Sequence, residues 1–160
     1  MNDKDHEKEK EHWASLIGRL MLAFGNIEFQ LCRCLVEIPE VSRHEELINH
    51  DFKKRATQAI KEIENAKLDK ANSKKLINLL NECIKLAKKR NLIAHNPFNL
   101  SFYDTKDGLG FRLEIVSLRN NDIFLEIGEL ESLVNKAEKY ADELYVVGTD
   151  ITFGLYPETT

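Results

Sequence analysis

Arg90, Asn91 and His95, in the run Lys88-Lys89-Arg90-Asn91-Leu92-Ile93-Ala94-His95-Asn96-Pro97, are the side chains of this sequence best suited to chemistry on a phosphate. An imidazole titrates near neutrality and can take and return a proton. A guanidinium is a planar fork of donors that matches phosphate oxygens and stabilises negative charge as it builds up. Asn91 stands four residues before His95, so on a helix its amide could orient the ring. Lys85, Lys88 and Lys89 lie in the same stretch and add cations that attract a polyanion.

The element that must position these groups is an amphipathic helix predicted from about Asp69–Ser73 to His95. Leu76, Leu79, Leu80, Cys83, Ala87, Arg90 and Ala94 fall in one arc at about 100° per residue and define its buried face. Arg90 is thereby aimed at a core or a partner, and a monomer that buried it unpaired would carry a high cost, which leads to the expectation of a homodimer. Pro97 drives Asn96 out of helical geometry, so His95 closes the helix where the dipole favours a protonated ring. The plainer reading of the same residues is an arginine stem lying along an apolar face and a histidine that only caps.

The remaining elements follow from periodicity. After a charged leader, expected to fray, Trp13, Leu16, Ile17, Leu20, Phe24, Ile27, Leu31 and Leu35 mark a long first helix ending before Pro39. Ser42-Arg43-His44-Glu45 reads as a capping box opening a second helix with the stripe Ile48, Phe52, Ala56, Ala59, Ile63 and Ala66. Beyond Pro97 the period shortens to two around Leu100, Phe102, Phe111, Leu113 and Ile115, with Gly108 and Gly110 punctuating a hairpin and Asn120-Asn121 a turn. A last helix over 129–147 carries Leu130, Leu133, Val134, Ala137, Ala141 and Leu144. The expected architecture is mainly α, an up-and-down bundle of about four helices with a small antiparallel β-hairpin or meander inserted before the last. It forms one domain over 1–160, comprising a polar leader (1–10), a β insertion (98–127) and an apolar tail (148–160) that docks elsewhere, for example on a second subunit.

The composition, 42% hydrophobic and 31% charged over 160 residues, is that of a globular chain. No apolar run approaches the roughly 20 residues that span a bilayer, and the polar start is unlike a signal peptide, so the expected location is the cytoplasm. Cys32, Cys34 and Cys83 read as core filler, since Cys32-x-Cys34 points its thiols to different sides of a helix. His44 and His50 are six apart and share no helix face, so no metal and no cofactor is expected. The net charge of −4 hides a division: residues 50–96 hold 12 Lys+Arg against 5 Asp+Glu, whereas 1–49 hold 6 against 10 and 97–160 hold 5 against 12. The basic middle either presents a phosphate-attracting surface or merely solvates helix faces and pairs with the acidic flanks.

Arg90 and His95 with four residues between them, the polar Asn91 after the arginine, and Phe24-Gly25-Asn26-Ile27-Glu28 in the first helix together resemble the HEPN superfamily. The resemblance covers about 13–97 and the last helix, and the β insertion departs from it. It implies a homodimer whose two motifs face one cleft and cleave RNA without a metal. His95 would act as proton acceptor, Arg90 as phosphate fork, and Asn91 would orient His95 or touch the RNA backbone; Lys85, Lys88 and Lys89 are the candidate RNA-binding cations. Attack by the 2′-hydroxyl would leave a 2′,3′-cyclic phosphate and a 5′-hydroxyl, and DNA would not be cut. The implied setting is a toxin or phage-defence system, with a neutralising antitoxin protein as partner. Arg43 and His50, with six residues between them, also fit the hallmark of that superfamily, an arginine and a histidine separated by four to six residues, but sit at a helix start. The competing reading is a non-catalytic HEPN-like dimer that binds or regulates.

Overall fold

The computed structural model describes residues 3–37, 49–120 and 122–155. Four helices and three strands follow in the order α1 (Asp3–Glu37), α2 (Phe52–Asn65), α3 (Lys70–His95), β1 (Phe98–Thr105), β2 (Gly108–Val116), β3 (Phe124–Leu125) and α4 (Ile127–Leu155). The architecture is thus mainly helical, with a three-stranded antiparallel sheet ordered β1-β2-β3 placed before the last helix. None of these helices is long and apolar enough to cross a membrane.

The inner face of α1 is the apolar stripe read from the sequence: Trp13, Leu16, Leu20, Phe24, Ile27, Leu31 and Leu35 are all buried. The charged leader does not fray as expected, because α1 already begins at Asp3. Lysine and glutamate are good helix formers, no glycine or proline intervenes, and Glu7 and Lys10 pair across one turn.

The stripe read through Ile48 and Phe52 is interrupted just before α2. Residues 49 and 50 form a turn and a bend, and Asp51 caps the helix by accepting from the Lys54 amide at 3.0 Å. The predicted capping box at Ser42–Glu45 and the stripe residue Ile48 lie outside the described residues. The rest of the stripe holds, with Phe52, Ala56, Ala59 and Ile63 buried.

Asp69 caps α3 through the Asn72 amide at 2.9 Å, and Asn96, in extended geometry, ends it. The buried face of α3 runs through Leu76, Leu79, Leu80, Cys83, Leu86, Ala87 and Ile93. Ala94, assigned to that face from the sequence, is exposed. The core contact passes to Ile93 as the helix reaches the sheet.

In the sheet Phe98 pairs with Ile115 and Phe102 with Phe111, and Lys106-Asp107 form the two-residue turn. Gly108 takes φ +126, open to glycine at little cost, and a Cβ on Gly110 would stand 2.9 Å from the Tyr103 ring. Leu113, Ile115 and Leu125 are buried, while Phe102 and Phe111 are exposed.

α1 packs most extensively against α4. The two run the same way, since His12 meets Glu131, Arg19 meets Glu138 and Arg33 meets Thr149. α4 extends to Leu155, so the residues expected to form a docking tail from 148 are helical as far as 155, with Ile151 in the core. Tyr156 lies outside the described residues.

Gly148 explains that difference. A Cβ there would stand 2.8 Å from Cys34 Sγ and 2.9 Å from Arg33 Nη2, so the glycine permits close approach of α1 and does not end the helix. Gly148→Ala is expected to lower stability by about 1–2 kcal/mol despite alanine's better helix propensity. Cys34→Ala in the same chain should recover part of the loss. Denaturant midpoints of the two single variants and the double variant check this.

Candidate functional site

Arg90 turns inward, against its own chain. Its Nη2 donates to Glu28 Oε1 of α1 at 3.0 Å, and its guanidinium lies 4.3 Å from the centre of the Phe24 ring. The other oxygen of Glu28 accepts from Arg55 Nη2 of α2 at 3.0 Å, and Arg55 Nη1 reaches Cys32 Sγ at 3.6 Å. One carboxylate therefore bridges two guanidiniums brought together by three helices. The sequence-based premise that a monomer must bury Arg90 unpaired is overturned, because Glu28, 62 residues away, supplies the charge. Arg55 and Glu28 were not singled out from the sequence as site residues. Arg55 is nevertheless among the few buried polar side chains, at 9% exposure.

Arg90, Asn91 and His95 line one open cleft of about 520 Å³ together with Glu28, Arg55 and Lys88. Asp51 and Lys53 complete its polar rim, so four cations face two carboxylates before His95 is counted. Asn91 and His95 are exposed and, among the described residues, make no hydrogen bond to each other. The orienting contact expected from their spacing is absent because both side chains face water, where an i, i+4 pair gains little.

The backbone at His95 is held firmly all the same. The Asn96 amide donates to Leu92 O at 2.7 Å, and its oxygen accepts from the Leu118 amide at 2.8 Å, tying the end of α3 to the loop after β2. That loop builds a second groove of about 640 Å³ on the other side of His95, lined by Lys88, Lys89, Leu92, Ser117, Leu118 and Arg119 among others, with no carboxylate. Lys88, Asn91 and His95 form the ridge shared by both spaces.

The three lysines proposed for a polyanion divide. Lys88 is exposed and unpaired among the described residues. Lys89 Nζ lies 2.6 Å from Glu129 and Lys85 Nζ 2.5 Å from Glu82, and Lys85 faces a different groove, between α3 and α4. Of the alternative arginine and histidine pair, Arg43 lies outside the described residues and His50 is exposed at the bend before α2.

Cys34 and Cys83 are buried, and desolvation pushes their thiols up from 9.0 to about 11 and about 12. The native protein is therefore expected to resist alkylation at both at neutral pH, with half-buried Cys32 reacting first, as read by intact mass. Because the folded thiols titrate higher than unfolded ones, their contribution is present below about pH 9 and is lost as pH rises through about 11 and 12. Replacing all three cysteines with Ala or Ser should lower stability by about 1–3 kcal/mol in total and leave any chemistry at His95 untouched.

No protein-family model, curated protein or solved structure matches the chain.

Proposed function

We propose that the protein is a metal-independent endoribonuclease of HEPN type, acting as a homodimer in a toxin or phage-defence setting. The observation that supports this is the cleft in which an exposed imidazole, a fixed guanidinium and an amide meet a surplus of cations. In this reading the His95 imidazole removes the proton of a ribose 2′-hydroxyl, whose oxygen bonds to the adjacent phosphorus as the bond to the 5′ oxygen breaks. That oxygen leaves with a proton from the second protomer's imidazole or from water. Arg90, held by Glu28 and Phe24, keeps further N–H donors for the charge growing on the phosphate oxygens. Lys88 and Lys53 hold the flanking backbone.

The test is incubation of the purified full chain in EDTA with single-stranded RNA and with DNA of the same sequence. Cleavage confined to RNA, with 2′,3′-cyclic phosphate ends, supports the reading; intact RNA under these conditions overturns it.

A second reading rests on one specific observation: Arg90 already spends a donor on Glu28 and covers Phe24. If that is its whole role, the protein is a non-catalytic HEPN-like binding or regulatory module, with a protein partner such as an antitoxin. Toxicity on expression that depends on His95 separates the two.

A further inference from the structure

The outward face of α1 carries an apolar stripe that nothing in the described chain covers. Leu22, Phe29 and Val36 are 75%, 63% and 59% exposed and stand seven residues apart, and Ser15 begins the same line one heptad earlier. Heptad spacing keeps such residues on one line along a helix. Gly18 and Gly25 flank the line, and a Cβ at either would meet nothing within 4 Å. A glycine inside a helix weakens it, and no contact among the described residues requires either one. The outward arc from 14 to 36 holds two charged side chains, Arg19 and Arg33, each neutralised within the chain, by Glu138 and Glu37. In a chain that is 31% charged, this face is unusually cheap to desolvate.

We infer that this face docks on the same face of a second copy, with the two α1 helices antiparallel and the two-fold axis between Gly25 and Asn26. Around that point Leu22 of one protomer meets Phe29 of its partner, Ser15 meets Val36, Gly18 meets Arg33 and Gly25 meets Asn26. Apart from the Leu22 and Phe29 pair, a larger side chain always faces a smaller one, and the glycines let the backbones come close. A parallel pairing would set Arg19 beside Arg19 and Arg33 beside Arg33.

From Ser15 to Val36 the stripe is about 32 Å long and about 10 Å wide, so two copies bury about 600 Å² through α1 alone. Tyr145, Val146 and Phe153 of α4 are 53%, 47% and 64% exposed, and Tyr145 joins this face by stacking on Arg33 at 4.9 Å. Tyr145 thereby extends the apolar surface toward the about 1,000 Å² that a specific interface needs. A two-fold perpendicular to both helices leaves the Glu28 edges on the same side of the seam, offset by about 8 Å along it, so the two Arg90 clefts open side by side. The docking rests on the geometry of α1 and not on the ribonuclease reading, to which it would supply the second site.

The experiment is light scattering on the full chain at micromolar concentration, without RNA. The expected mass is twice the 18.5 kDa of the chain, and Leu22→Glu with Phe29→Glu, both at positions exposed in the monomer, should weaken association at least about 100-fold with unchanged helical circular dichroism. In a Cys32→Ser background, a short bismaleimide should cross-link Asn26→Cys to itself, leave Ser15→Cys and Val36→Cys uncoupled alone, and couple the two when mixed. A monomer, a dimer indifferent to the two glutamates, a complex formed through this face only with a different chain, or self-cross-linking of Ser15→Cys with Asn26→Cys silent would each overturn the seam. Absence of RNA cleavage does not bear on it, and its failure leaves the roles of His95 and Arg90 to their own test.

Discussion

His95→Ala is expected to reduce cleavage of single-stranded RNA by about 10²-fold or more, because no other described imidazole lines the cleft to accept the 2′-hydroxyl proton. His95 is exposed and makes no side-chain hydrogen bond among the described residues, so this variant should fold and melt like the parent. Arg90→Ala is expected to lose a similar factor, with an added stability loss, since it also uncovers Phe24 and strips Glu28 of a partner. Arg90→Lys should rescue poorly: an ammonium keeps the charge but neither stacks as flatly nor offers the fork. Asn91→Ala should cost less than either, because among the described residues it makes no hydrogen bond to His95. Arg43→Ala and His50→Ala provide the matched control. Initial rates on one RNA, measured where circular dichroism shows each variant folded, decide the assignment. Essential residues at 43 and 50 with dispensable ones at 90 and 95 would place the site elsewhere.

Glu28→Ala is expected to produce a large stability loss, about 2–3 kcal/mol. Removing the carboxylate leaves Arg55 and Arg90, whose side chains are 11% and 23% exposed, facing each other without a counter-charge. The figure sits below that for a fully buried pair because the Glu28 side chain is itself 32% exposed and water can enter. For a chain of this size the melting temperature should fall by about 5–10 °C. Phosphate should restore part of that loss by occupying the space between the two guanidiniums, and should do less for the parent. A melting temperature unmoved by Glu28→Ala would mean that Phe24 and the surrounding helices, and not the charge bridge, hold Arg90.

The parts of the fold written in local periodicity were legible in the sequence. The end of α3 is an example: a 3.6-residue stripe meets Asn96-Pro97, and both the helix terminus and the position of His95 follow. The hairpin follows likewise from alternation and Gly108. What escaped depends on partners distant along the chain. Glu28 and Arg55 are 27 residues apart, Glu28 and Arg90 62 apart, and no local pattern announces a carboxylate that three helices will share. The continuation of α4 past 147 escaped for a related reason, since the meaning of Gly148 lies in Cys34 across the bundle and not in the residues beside it. The turn and bend at 49 and 50 escaped too, because the apolar stripe from Ile48 to Phe52 reads straight through them, whereas the Asp51 cap and the packing of Phe52 on Phe24 start α2 at Phe52.

The parallel pairing of α1 with α4 also shapes how the chain reaches this structure. His12 and Glu131, like Arg19 and Glu138, are 119 residues apart, so the most extensive helix pair in the bundle is also among its least local. On the ribosome α2 and α3 can close on each other early, whereas α1 is made first and waits for its main partner until the sheet has been synthesised. During that interval the part of the inner stripe that packs on α4 lies bare, while Phe24 can already meet Phe52 and Arg90. The nascent chain thus carries its greatest exposure to aggregation or chaperone capture in its first helix, and the arrival of α4 is the step that commits it to the native state.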